Sequence, residues 1–258
     1  GKIVGLGRRW SSLKLAIGAG AVDSAEIDYA EALKDADILI LCTPVDTIVE
    51  IMGKAIQYLP QGCIITDVGS TKASLVCEIE SLIPDGIHFV GGNPMAGSDE
   101  SGVVSARDDL FRGRVCILTP TGRTDKDVIL TISEMWQTMG ASVKIMPPDD
   151  HDYLISAASH LPHAVACALV NVVSSIENRE INALDFASTG FADTTRIAMG
   201  SSETWGGIFQ QNAENVALMI SKMESELSDF RSILESKDGD ALIKKLNQAR
   251  DSRIAFGR

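Results

Sequence analysis

A doubly wound, largely parallel α/β sheet over residues 1–147, followed by an all-helical part over residues 148–258, is the fold class the sequence predicts. Three observations carry it. Short apolar runs at residues 2–6, 36–42 and 63–67 are separated by helix-like stretches, and strands alternating with helices imply parallel pairing through crossover connections. Within the second run the ILIL of residues 38–41 is continuously apolar, the pattern of a strand covered on both faces. After Pro147-Pro148 the strand-like runs stop and helical patterns take over.

The first run closes on Gly5-Leu6-Gly7, which begins like a GxGxxG fingerprint, yet residue 10 is Trp10 and the third glycine is absent. Residues 2–6 therefore read as the second strand of a Rossmann-type dinucleotide-binding unit, whose tip normally carries an acidic residue for the ribose hydroxyls. Here the tip is Gly7-Arg8-Arg9-Trp10-Ser11-Ser12. Two guanidiniums and no carboxylate suit a 2′-phosphate, so Arg8, Arg9 and Ser11 favour NADP over NAD; a solvated basic turn is the alternative. On this reading the first strand and the glycine-rich loop lie upstream of Gly1. Thr43, Pro44 and Val45 follow the second run, where such sheets bind ligands at strand carboxyl ends, and their backbone is expected to touch the cofactor. Residues 88–91, 115–119 and 142–146 add strands and carry the sheet to about residue 147.

Helical patterns span residues 149–176, 203–234 and 240–254, and Val216, Met219, Ile220, Met223, Leu227 and Phe230 recur at helical spacing. These apolar faces exceed what a few helices cover alone, which points to a homodimer through the helical part; a self-contained bundle is the alternative.

The 258 residues are 45% hydrophobic and 22% charged, enough for a substantial core, and the net charge of −12 argues against nucleic acid, whose phosphates need clustered Lys and Arg. A small-molecule substrate fits better. Cys42, Cys63, Cys77, Cys116 and Cys167 are scattered, without zinc spacing, so no metal is expected and reduced thiols in the cytoplasm are the simplest reading. The apolar stretch 154–173 is interrupted by His160, Pro162, His163 and Asn171 and reads as a buried helix, not a membrane span. Residues 1–20 lack the cationic, apolar, small-residue pattern of a signal peptide, so no secretion is expected.

Several motifs stand in order: ITDVGSTKAS at 65–74, HFVGGNPMAGSDESG at 88–102, His151-Asp152-Tyr153, SHLPHA at 159–164, GFADTTR at 190–196, and Trp205. Together they resemble the prephenate/arogenate dehydrogenase family of tyrosine biosynthesis, from Gly1 to about Phe230. The resemblance implies an NAD(P)-dependent, dimeric, cytoplasmic oxidoreductase that converts prephenate to 4-hydroxyphenylpyruvate by hydride transfer and loss of carbon dioxide. An arogenate dehydrogenase, or a non-catalytic or fragmentary relative, are the alternatives. Hydroxyacid dehydrogenases would carry a catalytic lysine in the helical part, and no matching motif surrounds Lys222 or Lys237.

The resemblance also assigns roles. The family motif GGHPMAG places a histidine on the reacting hydroxyl, and this chain has Asn93 there. An amide cannot take up a proton near neutrality, so a general-base contribution of about 10²–10⁴-fold should largely be lost; a turn cap before Pro94 is the other reading. Ser70 matches the serine between nicotinamide and hydroxyl, and reads equally as the N-cap of a helix with Lys72 and Glu78 on its exposed side. Arg196 matches an arginine that binds a substrate carboxylate, or forms a surface salt bridge. His151 and His163 match pocket histidines, and His163 tilts the choice toward prephenate. His160 is as readily a packed core residue. Asp99 and Trp205 match residues near the substrate, where a structural role serves as well. After the dehydrogenase segments a helical tail follows, and on this reading no appended regulatory or mutase domain is expected.

Overall fold

Most of the apolar runs become strands because crossover helices cover them, and the exceptions mark where the chain departs from a regular doubly wound sheet. The structure, a computed structural model, describes residues 1–97, 102–178 and 181–257. Its contacts divide the chain into a unit of Gly1–Ala213 and a unit of Glu214–Arg258. In the first, β1 (Val4–Leu6), α1 (Trp10–Gly18), β2 (Ser24–Glu26), α2 (Tyr29–Leu33), β3 (Ile38–Leu41), α3 (Val45–Ala55), β4 (Ile64–Asp67), α4 (Ala73–Leu82), β5 (His88–Pro94), β6 (Val115–Thr119), α5 (Lys126–Thr138) and β7 (Ser142–Ile145) lead into α6 (Pro148–Ile155). A π-helical turn (Ser156–His160), α7 (Leu161–Ser174), β8 (Glu177–Asn178), β9 (Ile181–Asn182), α8 (Thr189–Thr195) and α9 (Ser202–Gln211) complete it.

Five strands form one sheet in the order β3-β4-β5-β6-β7. The first three are parallel, with Ile38 opposite Ile64 and Ile64 opposite His88. Strand β6 runs antiparallel to β5, with Asn93 opposite Ile117, so the sheet is mixed where a parallel one was expected. Strands β1 and β2 form a separate parallel ladder that does not pair with β3. Strand β3 is thus an edge, and Ile40 is 41% exposed instead of covered on both faces. The polar Ser-Ala-Glu of β2 gave no apolar signal; it pairs because β1 offers it an open edge.

Side-chain alternation along the strands splits the core in two. Phe89 joins Ile65, Leu75, Ile79, Ile48 and Met52 on one side, where α3 contributes Ile48, Met52 and Ala55 at helical spacing. Val90 joins Cys116, Leu118 and the α5 stripe of Val128, Ile132 and Trp136. Asp125 starts α5 by accepting the backbone N–H of Asp127. Burial of each large apolar side chain here contributes about 1.5–3 kcal/mol.

The stretch 149–176 is not one uniform helix. Pro162 has no N–H to offer the carbonyl a turn earlier, and the backbone opens into the π turn just before it. By length and composition alone Pro148–Ser174 could cross a membrane, and only 28% of its apolar window is buried, less than the buried helix expected from the sequence. A second break falls at Asn212, between α9 and α10 (Ala213–Ser236): its side chain leaves the helix path to donate to the Asp152 carbonyl at 2.8 Å. The β8–β9 hairpin interrupts the expected all-helical part.

The second unit comprises α10 from Glu214 onward and α11 (Gly239–Phe256). Lys237 takes a left-handed φ of 55° between them, and Asp238 caps α11 by accepting the N–H of Ala241. Lys245 reaches Glu226 at 2.9 Å and Asp229 at 3.4 Å, over the Phe230 ring. Leu227, Leu234, Ile243 and Leu246 remain exposed.

One correction bears on the site. Lys72, read as exposed, is 0% exposed, and its Nζ pairs with the equally buried Asp67. A buried lysine requires such a partner because its desolvation would otherwise dominate. Lys72→Met should therefore leave the Asp67 charge uncompensated and lower stability by about 3 kcal/mol or more in chemical denaturation, with Asp67→Asn added to it recovering part of the loss.

Candidate active site

Strand β5 runs on through Gly91-Gly92-Asn93-Pro94, and a glycine is needed at 92. A Cβ there would lie 2.6 Å from the Asp67 backbone oxygen. This close approach lets the Gly92 N–H donate to Asp67 Oδ1 at 3.0 Å, while Oδ2 accepts from the Gly69 N–H at 2.7 Å and from Lys72 Nζ. Asp67 thereby ties the turn after β4, which holds the half-buried Ser70, to the end of β5, which holds Asn93.

Asn93 is 4% exposed, and its Nδ2 lies 2.9 Å from His151 Nε2. His151, fully buried on α6, places Nδ1 2.7 Å from Asp152 Oδ1. The same carboxylate accepts the backbone N–H groups of Lys72 at 2.7 Å and Ala73 at 2.9 Å. These are the first N–H groups of α4, so Asp152 supplies the cap that Ser70 was read to supply; the residue at the cap position, Lys72, makes no side-chain cap bond. A carboxylate only accepts, which assigns the ring proton to Nδ1 and leaves the Nε2 lone pair to receive Asn93 Nδ2–H.

A third group sits on the π turn and α7. The rings of His163 and Trp205 stack at 3.6 Å and 15°, while His160 meets Trp205 edge-on at 6.1 Å. Phe209 closes the cluster. Gly200 is confined by it: a Cβ there would fall 2.7 Å from Trp205 Nε1. His160 Nε2 and His163 Nδ1 are buried without a hydrogen-bond partner, available to polar groups of a ligand. Burial lowers the His160 pKa to about 4, partly opposed by Asp152, and lowers that of His163 too, so both rings are neutral at pH 7. Arg196 is exposed at the start of the 3₁₀ turn that ends beside Gly200. Asp99 lies outside the described residues.

Comparison with known proteins decides the family. The pattern described as "Prephenate dehydrogenase, nucleotide-binding domain" matches residues 1–145, and "Prephenate dehydrogenase, dimerization domain" matches residues 147–248. The chain belongs to the prephenate dehydrogenase family. The prephenate dehydrogenase of Bacillus subtilis is 33% identical over 98% of this chain and 68% of its own length. A solved structure of prephenate dehydrogenase from A. aeolicus with hydroxyphenyl propionate and NAD+ is 34% identical, with a TM-score of 0.94 over 99% of this chain and 89% of that one. The arogenate dehydrogenase structure from Synechocystis is 28% identical, with a TM-score of 0.84 over 98% and 90%. The family, the oxidoreductase class and the α/β-then-helical fold expected from the sequence are thus met.

For this prephenate dehydrogenase family member a nicotinamide dinucleotide is the cofactor to accommodate, and residues at the strand ends fit one. The Thr43 hydroxyl, just past β3, is buried without a partner. Pro44 precedes α3 with no side-chain cap, leaving the first N–H groups of that helix available to an anion. The Val45 side chain is absorbed into the core, so only its backbone can take part. Arg8, Arg9 and Ser11 are exposed beyond β1, and the Arg8 charge is felt by Glu50 and Lys54 on α3. Among the described residues no cluster of three His, Cys, Asp or Glu is placed to hold a metal.

The structure bonds Asn93 to His151 and stacks His163 on Trp205; Ser70 lies in the turn that Asp67 ties to the Asn93 strand end, and Arg196 begins the 3₁₀ turn that leads to Gly200. Sequence reasoning missed Asp152, Asp67 and Asn212, whose roles lie in tertiary hydrogen bonds. The only available signals were the position of Asp152 beside His151 and of Asp67 in the TDVGS segment.

The neutral His160 makes stability depend on pH. A pKa of about 4 in the folded chain against 6.5 in the unfolded one means that the unfolded state binds the proton first, so stability is lost as pH falls from 6.5 toward 4. Chemical denaturation at pH 7 and pH 4.5 should show wild type losing about 2 kcal/mol more than His160→Gln.

Proposed function

We propose that this chain oxidises prephenate to 4-hydroxyphenylpyruvate. The hydrogen on the hydroxyl-bearing ring carbon leaves as hydride, the ring carboxylate leaves as carbon dioxide, and the bonding pair it leaves behind aromatises the ring. The nicotinamide, when bound, accepts the hydride. The observation that carries this reading is the buried Asn93–His151–Asp152 hydrogen-bond chain, set where strand ends meet α6 and fastened to the Ser70 turn.

Asn93 and Ser70 address the reacting hydroxyl. His151, His163 and Trp205 line the substrate pocket, the family resemblance adds Asp99 as a further substrate residue, and Arg196 offers a planar fork to a carboxylate. His163 favours prephenate over arogenate. Arg8, Arg9 and Ser11 would hold the adenosine end and favour NADP, and the backbone of Thr43, Pro44 and Val45 the phosphates. The separate β1–β2 ladder supports reading β1 as the second strand of its unit. Residues 1–147 form the cofactor domain and residues 148–258 the dimerisation and substrate domain. A homodimer is supported by the description of the matching segment and by the exposed Leu227, Leu234, Ile243 and Leu246.

Absorbance of the reduced nicotinamide tests the reaction, with NADP and NAD crossed against prephenate and arogenate. The expected result is turnover fastest with NADP and prephenate, raised about 10-fold or more by Asn93→His. No turnover by wild type or by Asn93→His with any pair would contradict the function. Sedimentation should give a dimer, shifted toward monomer by Leu227→Glu with Leu234→Glu; a monomeric wild type would contradict the assembly.

A further inference from the structure

Resting on that function, we propose that the group accepting the substrate proton in this chain is His151, reached through the side-chain amide of Asn93. An amide at position 93 holds a hydroxyl but cannot keep its proton, whereas an imidazole can. The nearest imidazole nitrogen is bonded to that amide: Asn93 Nδ2 lies 2.9 Å from His151 Nε2. Both side chains are buried. The far ring nitrogen donates to Asp152, a carboxylate fixed by two backbone N–H groups of α4. Nε2 is therefore the basic nitrogen, and Asp152 stands ready to stabilise the cation formed when that nitrogen takes a proton. With Nδ2 committed to His151, Oδ1 of Asn93 is the atom left for the substrate hydroxyl.

The relay balances. As the ring C–H pair leaves as hydride to the nicotinamide, the hydroxyl proton moves to Asn93 Oδ1 and one Nδ2 proton moves to His151 Nε2. The substrate C–O becomes a carbonyl, the amide its imidic-acid tautomer and the ring an imidazolium. When the bond to the carboxylate breaks, its electron pair enters the ring and the carbonyl oxygen becomes a phenolate. The proton then returns along the same path to give the phenol, with none gained or lost overall. Among the described residues, the titratable groups linked to His151 are Asp152, bonded to its ring, and His160 on the π turn, whose charge it influences; the buried Lys72–Asp67 pair is joined to them through Asp152, which accepts the Lys72 backbone N–H.

Four proteins test this with prephenate: wild type, His151→Gln, Asn93→His, and Asn93→His with His151→Gln. The expected result is a loss of about 10²-fold or more in kcat for His151→Gln with KM little changed. Asn93→His should restore most of that loss, because an imidazole at 93 takes the proton directly; a purely structural role for His151 would not be rescued. Undiminished kcat in His151→Gln, or a double variant no better than it, overturns the inference. A silent wild type with an active Asn93→His overturns the inference while the function stands, and silence in both sinks the two together. Independently of turnover, ¹⁵N-histidine NMR of the unliganded chain should show His151 protonated at Nδ1 and bare at Nε2, with the Nε2 signal moved by Asn93→Ala. A protonated Nε2 overturns the relay.

Discussion

A carboxylate buried between a strand-to-helix turn and a neighbouring helix must have its lone pairs answered by donors, or its desolvation outweighs whatever it holds in place. Asp152 meets this demand with two backbone N–H groups from the start of α4 and one ring N–H from His151. Those bonds do three things together. They cap α4, fasten α6 to the start of α4, and fix the tautomer of the histidine facing Asn93. Asn212 adds a bond to the Asp152 backbone carbonyl, which joins the end of α9 to the same point.

Asp67 plays the complementary part on the sheet side. Its oxygens gather the amides of Gly69 and Gly92 and the Lys72 ammonium, so one carboxylate joins the Ser70 turn to the Asn93 strand end. The chemistry of the site then follows from which groups remain uncommitted. Within the chain Asn93–His151–Asp152, the Nε2 lone pair of His151 is the basic end, and in the aromatic cluster His160 Nε2 and His163 Nδ1 are buried without a hydrogen-bond partner on neutral rings. A ring that stays neutral at pH 7 can donate or accept a hydrogen bond to a substrate without adding charge to the pocket.

The parts of the fold legible in the sequence are those set by local pattern. The apolar runs at 36–42, 63–67 and 115–119 contain β3, β4 and β6, and Pro147-Pro148 marked the turn into helices. What escaped depends on partners distant in sequence. The antiparallel direction of β6, the pairing of the polar β2 and the exposure of Ile40 follow from which edges meet. The π turn before Pro162 and the break at Asn212 follow from backbone groups seeking bonds that a regular helix would not supply. The site divides the same way. The motif order pointed to Asn93, Ser70, His151, His163, Arg196 and Trp205, whereas the burial of Lys72 and the capping of α4 by Asp152 across 80 residues had no local signature.

Equilibrium denaturation of Asp152→Asn tests most directly whether one carboxylate organises the site. The substitution keeps the shape but replaces one acceptor oxygen by a donor, so at least one of the Lys72, Ala73 and His151 N–H groups must be left unanswered. Loss of a helix cap together with a buried unsatisfied donor predicts a stability lower by about 3 kcal/mol. A variant as stable as wild type would show that α4 and His151 are held by other means and would contradict the account.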